Sequence, residues 1–174
     1  AGAARQMKAI LERLGCPKVA LRDLTRCDQA EAVEDAFRYG KLVAMSASYD
    51  GGLFPAMDQF LCHLRDKTYR GRTVALVENG SWAPSAAKHM RAFFENMKDI
   101  AVCPTVYTIR GAAKDSDLGG LEQVAREVLG LKVTEQDDWL LATVERAHFQ
   151  RVLGEEPRLG GRELEILNAL EFPG

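Results

Sequence analysis

The stretch Lys41-Leu42-Val43-Ala44-Met45-Ser46-Ala47-Ser48-Tyr49-Asp50-Gly51-Gly52-Leu53-Phe54-Pro55 decides the fold. It begins as a continuous apolar run, the pattern of a parallel strand covered on both faces, and ends in a polar, glycine-containing loop before an amphipathic segment. The pattern returns thirty residues on: Thr73-Val74-Ala75-Leu76-Val77 leads into Glu78-Asn79-Gly80-Ser81-Trp82-Ala83-Pro84-Ser85, and another amphipathic segment follows. In an open α/β sheet, ligands bind in the crevice outside the carboxyl ends of the strands. Glycines there let the backbone approach a ligand, free amides can meet its polar edge, and Tyr49 and Trp82 offer stacking faces. The two loops together suit a flat, polar-edged aromatic molecule.

Working outward, Met7, Ile10, Leu11 and Leu14 recur at helical spacing and stop at Gly15, predicting a helix over 5–14. Pro17 then introduces a short strand over 18–24. Thr25 or Asp28 can cap a helix over 29–39 that ends at Gly40. Strands are expected over 42–47, 73–78 and 101–109, and helices over 55–67, 85–97 and 115–129. Pro104 cannot donate to a ladder, which puts the last strand at an edge or gives it a bent entry. The alternation predicts an α/β fold: a doubly wound parallel sheet in three layers, with all four strands parallel and right-handed crossovers.

Beyond Gly130 the pattern changes. Trp139, Leu140, Val144, His148 and Val152 predict one helix over 137–153, and Leu164, Ile166, Leu167 and Leu170 a second over 163–170. The expected organisation is therefore a domain over 1–130 and a helical C-terminal extension over 131–174. Glu163, Glu165 and Glu171 argue against a DNA-reading helix pair. An arm that covers the sheet or pairs with another subunit suits this composition better.

The 174 residues are 47% hydrophobic and 28% charged, enough for a proper core, and the formal net charge of −2 gives no reason to expect nucleic acid as a partner. No apolar run approaches the ~18–20 residues of a membrane span, and no basic segment leads into an apolar one. A cytoplasmic protein is expected. Cys16, Cys27, Cys62 and Cys103 are too scattered for a disulfide framework or zinc cluster, and His63, His89 and His148 form no ligand pair. No metal site is expected.

A flavin fits the crevice described above. Residues 49–86, continuing to about 129, resemble the flavodoxin-like domain of the A-type flavoproteins, the flavodiiron protein family. Asp50-Gly51-Gly52-Leu53-Phe54-Pro55 and Glu78-Asn79-Gly80-Ser81-Trp82-Ala83-Pro84-Ser85-Ala86 are similar to that family's second and third FMN loops, and Thr108-Ile109-Arg110-Gly111 to a further segment. The run from Glu78 to Ser85 is the specific part. The resemblance implies a flavodoxin-like electron-transfer domain that binds FMN and has no catalytic acid or base of its own. Its partner would be a redox protein or a di-iron domain; nothing in this chain is similar to the latter.

Residue by residue, the resemblance places Trp82 against the isoalloxazine ring, with Tyr49 as a second stacking face. Asn79, Gly80, Ser81 and Ala83 would supply donors to the ring's carbonyl edge, and Ser46 and Ser48 would reach the ribityl or phosphate region. Gly51 and Gly52 allow close approach. Asp50 stands where relatives often carry Asn, and its carboxylate would repel an anionic reduced ring. Arg110 is expected to be solvated. Gly2-Ala3-Ala4 lies where the family has a Gly-Asn-Thr type sequence, so the phosphate-binding hydroxyl is replaced, and no strand precedes it in this sequence. In the flavodoxin strand order 2-1-3-4-5 that strand is central. The expectation is therefore weak FMN affinity, and a gap between strands 18–24 and 42–47 filled by the tail, a swap or a second subunit, with a homodimer preferred. The alternatives are a degenerate domain that has lost FMN and serves as a structural or interaction module, and an FMN-dependent quinone or NAD(P)H reductase, for which there is no nucleotide fingerprint.

Overall fold

In the computed structural model the described residues are 2–131. They build a four-stranded sheet flanked by five α-helices, all within the compact unit Ala1–Lys132. The elements are α1 (Gly2–Arg13), α2 (Gln29–Arg38), β1 (Lys41–Tyr49), β2 (Gly52–Leu53), α3 (Pro55–Asp66), β3 (Arg72–Asn79), α4 (Ala86–Glu95), β4 (Ile100–Ile109) and α5 (Leu118–Leu129). The strand order is β2-β1-β3-β4. β1, β3 and β4 are parallel, with Lys41 opposite Thr73 and Arg72 opposite Ile100. The three long strands and the helices between them stand where the sequence predicts them.

Alternation along β3 divides the core. Val74 and Leu76 point to one face, where α2, α3 and α4 contribute Val33, Phe60, Leu61, Leu64, Met90 and Phe94. Ala75 and Val77 point to the other, where α1 and α5 contribute Met7, Ile10, Leu121, Val124 and Val128. Burying a large apolar side chain fully stabilises by about 1.5–3 kcal/mol, and Leu61, Leu64, Leu76 and Leu121 are wholly buried. This is the three-layer arrangement expected of an open doubly wound sheet.

The sequence expectation fails at residues 18–24, which form no strand. Val19 packs with the α1/α5 core, Leu24 with the opposite core, and Arg22 is held by Asp35 and Glu31 of α2 at 2.7 and 2.6 Å. The local alternation of apolar residues is strand-like, but a strand needs a neighbour to complete its ladder. Residues 18–22 make no backbone–backbone hydrogen bond with any described residue. The gap expected between two strands therefore becomes the outer edge of β1, which over residues 41–46 is paired with no strand among those described. The second departure is β2, an antiparallel hairpin partner of Ser48 and Tyr49 that makes the sheet mixed.

Pro104 lies on the edge strand, as expected. Between the pairs Val74–Val102 and Leu76–Val106, β4 spends more residues than β3, so Cys103, Pro104 and Thr105 form an irregularity in the ladder. Helix ends follow ordinary chemistry. Asp28 caps α2 by accepting from Ala30 at 2.8 Å, Pro55 opens α3, and Gly130 closes α5 with φ +75°. The helices expected over 137–153 and 163–170 lie outside the described residues.

Candidate functional site

At the carboxyl ends of β1 and β3 the two loops meet, and hydrogen bonds fix how. Ser48 Oγ accepts from the amides of Ser85 (2.8 Å) and Ala86 (3.1 Å), and Glu78 Oε2 accepts from the amide of Ala87 (2.9 Å). These three donors begin α4 and have no partner inside the helix. Residues from two neighbouring strands thus do the work of a cap. The Glu78 carboxylate, buried and also bonded by the Thr108 hydroxyl at 2.8 Å, places negative charge at the positive end of the α4 dipole.

Residues 49–52 form the tight β1–β2 turn. Asp50 (φ +47°) and Gly51 (φ +72°) both adopt left-handed backbone, the requirement of a two-residue type I′ hairpin, for which Asp-Gly is a favoured pair. That dipeptide was the signal from which the hairpin could have been read. His89 of α4 reaches this turn, its Nε2 lying 2.9 Å from the Gly51 carbonyl oxygen. Tyr49 is half exposed and meets Phe54 edge-on, ring centroids 6.0 Å apart.

The second loop is pinned from below. Asn79 Nδ2 donates to the Gly111 carbonyl at 2.6 Å, and the Gly80 amide to the Ile109 carbonyl at 3.1 Å. Gly80 has no room for a side chain: a Cβ there would lie 2.9 Å from Pro84 Cα and 3.2 Å from Ser48 Oγ. Above this base, the amides of Ser81, Trp82 and Ala83 donate to no group among the described residues, and the Trp82 side chain is 97% exposed. A cleft of about 240 Å³ lies between the carboxyl ends of β1 and β3 and the start of α1, lined by Ala3, Ala4, Ser46, Ala47, Glu78 and Asn79.

The structure therefore brings Ser48, Tyr49, Asp50, Gly51, Asn79, Gly80, Ser81, Trp82 and Ala83 to one edge of the sheet. Their roles divide. Ser48 Oγ and Asn79 Nδ2 are engaged in holding the loops, whereas Tyr49, Asp50, Ser81, Trp82 and Ala83 present groups to solvent. Ser46 is buried, its hydroxyl donating to the Ala47 carbonyl at 3.1 Å. Arg110 is exposed at the end of β4. Sequence reasoning missed Glu78 as the internal cap and His89 as the group on the turn, because both act across chain separations that no local pattern encodes.

Neither a family model nor a curated protein sequence matches the chain. Solved structures do match it. Rubredoxin oxygen:oxidoreductase from Desulfovibrio gigas superposes with a TM-score of 0.68 at 15% identity, over 73% of this chain and 31% of that one. A flavodiiron protein from Thermotoga maritima gives 0.61 at 18% identity, over 74% and 32%. Oxidised flavodoxin 1 from Bacillus cereus gives 0.63 at 14% identity, over 76% and 90%. The fold is thus that of the flavodoxin-like α/β domains. This chain spans about a third of the length of the flavodiiron structures and nearly all of a flavodoxin. No helix among the described residues is long and apolar enough to cross a membrane, and all four cysteines are free thiols.

Proposed function

We propose that this chain is an FMN-binding electron-transfer domain of the A-type flavoprotein kind, acting in the cytoplasm with a redox partner protein or a di-iron domain. The observation that carries the reading is the pairing of exposed rings at Tyr49 and Trp82 with the free amides of Ser81, Trp82 and Ala83 at one sheet edge. A planar heterocycle with carbonyls along one rim matches both features. Bound FMN would supply the transfer of one or two electrons.

The chain's own task is to bind, orient and tune. Trp82 and Tyr49 take the faces of the ring, and the 81–83 amides stabilise negative charge on its carbonyl edge. Asp50, exposed on the turn, opposes that charge. The Gly2, Ala3 and Ala4 amides at the start of α1 lack intrahelical partners, and Ala3 and Ala4 line the cleft, so this helix start suits the phosphate end. No hydroxyl assists them. A homodimer belongs to the same reading, because the outer edge of β1 over residues 41–46 pairs with no strand among the described residues; light scattering showing only monomer would remove it.

Titration of the purified protein with FMN, followed by quenching of flavin fluorescence and by the visible flavin bands, tests the reading. Saturable binding that Trp82→Ala weakens by about tenfold, a stacking contribution of roughly 0.5–1.5 kcal/mol, supports it. No binding of FMN or riboflavin would leave the interaction module as the function.

A further inference from the structure

Asp50-Gly51 is the one Asp-Gly pair of the sequence and Asn79-Gly80 the one Asn-Gly pair, and both stand at the edge of the crevice. Such pairs carry a latent reaction. The glycine nitrogen can attack the side-chain carbonyl carbon of the residue before it, because no Cβ on the glycine obstructs the approach. Ammonia leaves from Asn and water from Asp, and the product is a cyclic imide. In an unfolded chain the Asn pair reacts faster, since a carboxamide is the better electrophile. The fold opposes that order. At Asn79-Gly80 both reacting groups are engaged: Asn79 Nδ2 donates to the Gly111 carbonyl at 2.6 Å, and the Gly80 nitrogen donates to the Ile109 carbonyl at 3.1 Å. Pro84 Cα stands 2.9 Å from where a Gly80 Cβ would lie, so this half-buried pair has little room to turn.

At Asp50-Gly51 both groups are open. The peptide joining them makes no hydrogen bond with any described residue, the Asp50 carboxyl group has no partner among them, and open space surrounds Gly51. Both residues are exposed to water. The turn is fixed on either side of this peptide, by the Ser48–Leu53 and Tyr49–Gly52 pairs and by the Phe54 amide on the Ala47 carbonyl. Asp50 itself, at φ +47°, sits in backbone that an L-residue rarely adopts, and no bond of its own has to break for it to rotate. We propose that Asp50 is a modification site that isomerises spontaneously to isoaspartate through an imide with Gly51, while Asn79 stays intact in the folded protein. The Gly51 nitrogen bonds to Asp50 Cγ, the Cγ–O bond breaks, and the carboxyl hydroxyl leaves with the amide proton as water. Water then adds at the Asp50 main-chain carbonyl and breaks its bond to the Gly51 nitrogen. The chain now runs through Cβ and Cγ, and its mass is unchanged. A two-residue hairpin turn has a fixed length, so the longer link pulls the Tyr49–Gly52 pair apart. Loss of ring binding through Tyr49 would follow on the flavin reading; the modification and the opening of the pair do not depend on it.

The test incubates the purified protein at neutral pH and physiological temperature, folded and, in parallel, unfolded in urea. Peptide mapping with electron-transfer fragmentation separates isoaspartate from aspartate, and NMR follows the cross-strand contact between Tyr49 and Gly52. Expected in the folded protein is isoaspartate at position 50 ahead of any deamidation at Asn79, with the order reversed in urea. The Tyr49–Gly52 contact should fade in step with the isoaspartate content. Asp50→Glu, whose longer side chain closes an imide far less readily, should keep that contact over the same period. Deamidation of Asn79 first in the folded protein would overturn the site, as would isoaspartate forming no faster at Asp50 than at the exposed Asp115. A Tyr49–Gly52 contact that persists after Asp50 has converted would overturn the opening of the turn.

Discussion

Ser48 Oγ, at the end of β1, accepts hydrogen bonds from the backbone amides of Ser85 and Ala86, at 2.8 and 3.1 Å, across thirty-seven and thirty-eight residues of chain. One hydroxyl therefore carries both the start of α4 and the spacing between the two loops of the crevice. Ser48→Ala should destabilise the domain by about 1–2 kcal/mol, the upper range for loss of a helix cap, read as a lower urea midpoint with unchanged slope. Flavin affinity should fall with it, because the 81–84 segment loses its anchor. An unchanged midpoint would show that water replaces the hydroxyl at no cost.

Gly80 should tolerate no side chain. The added methyl of Gly80→Ala would meet Pro84 Cα at 2.9 Å and Pro84 Cβ at 3.0 Å, and neither belongs to a flexible side chain that can swing aside. The expected cost is about 1–3 kcal/mol of overpacking, with displacement of the 81–83 amides and loss of ring binding. A variant that binds riboflavin as the wild type does would count against those amides as the ring's partners.

The phosphate end should contribute little. Ala3 and Ala4 line the cleft without a hydroxyl, so FMN and riboflavin should bind within about tenfold of one another, a difference of ~1.4 kcal/mol. Ala4→Thr should strengthen FMN alone, by about ten- to a hundredfold for one charge-assisted bond of roughly 1.5–3 kcal/mol. Nanomolar FMN affinity with a large preference over riboflavin in the wild type would contradict this.

Acid should loosen the packing of α1 on α5 through Glu122. Burial pushes its carboxyl up, but hydrogen bonds from Arg13 at 2.6 Å and from Arg126 outweigh that and hold it below the usual value of 4.5. A carboxylate depressed in the folded state stabilises above its unfolded pKa, and that stability is lost as pH falls through the folded one. Thermal melting temperatures should therefore drop below about pH 4.5 more steeply for the wild type than for Glu122→Gln. Parallel curves would sink the assignment.

Tyr69 gives the opposite limb. Its ring is buried against Phe37 and Arg72, its hydroxyl has no partner among the described residues, and burial pushes it from 10 up to about 12. A raised acid stabilises fully below its unfolded pKa and loses that contribution as pH rises from 10 toward 12. Tyr69→Phe should be neutral to slightly stabilising at pH 7, since an unsatisfied buried hydroxyl is removed, and should resist alkaline unfolding better. Phenolate absorbance and circular dichroism followed together would check it.

The parts of this fold that were legible in the sequence are those that local pattern determines. The apolar runs of β1 and β3 leave no alternative to buried strands, and the periodicity of Met7, Ile10 and Leu11 leaves none to an amphipathic helix. Residues 18–24 misled because Val19 and Leu21 alternate as a strand does, while strand formation depends on a neighbour the segment does not have among the described residues. The crevice was legible as a place, since Gly80 and Trp82 announce it. The tasks inside it were not. Ser48 reads locally as a ligand-facing hydroxyl, and only the folded chain shows its oxygen committed to α4.

The irregularity at Cys103–Thr105 bears on what can happen at the β4 edge of the sheet. Of the polar backbone groups there, the Cys103 and Pro104 carbonyls are taken by Arg91 at 3.0 and 3.4 Å, the Thr105 amide by Glu127 at 3.2 Å, and Pro104 has no amide to offer. A foreign strand arriving at β4 finds its template interrupted in the middle and guarded by two charges. That irregularity works against edge-to-edge growth of the sheet through the middle of β4.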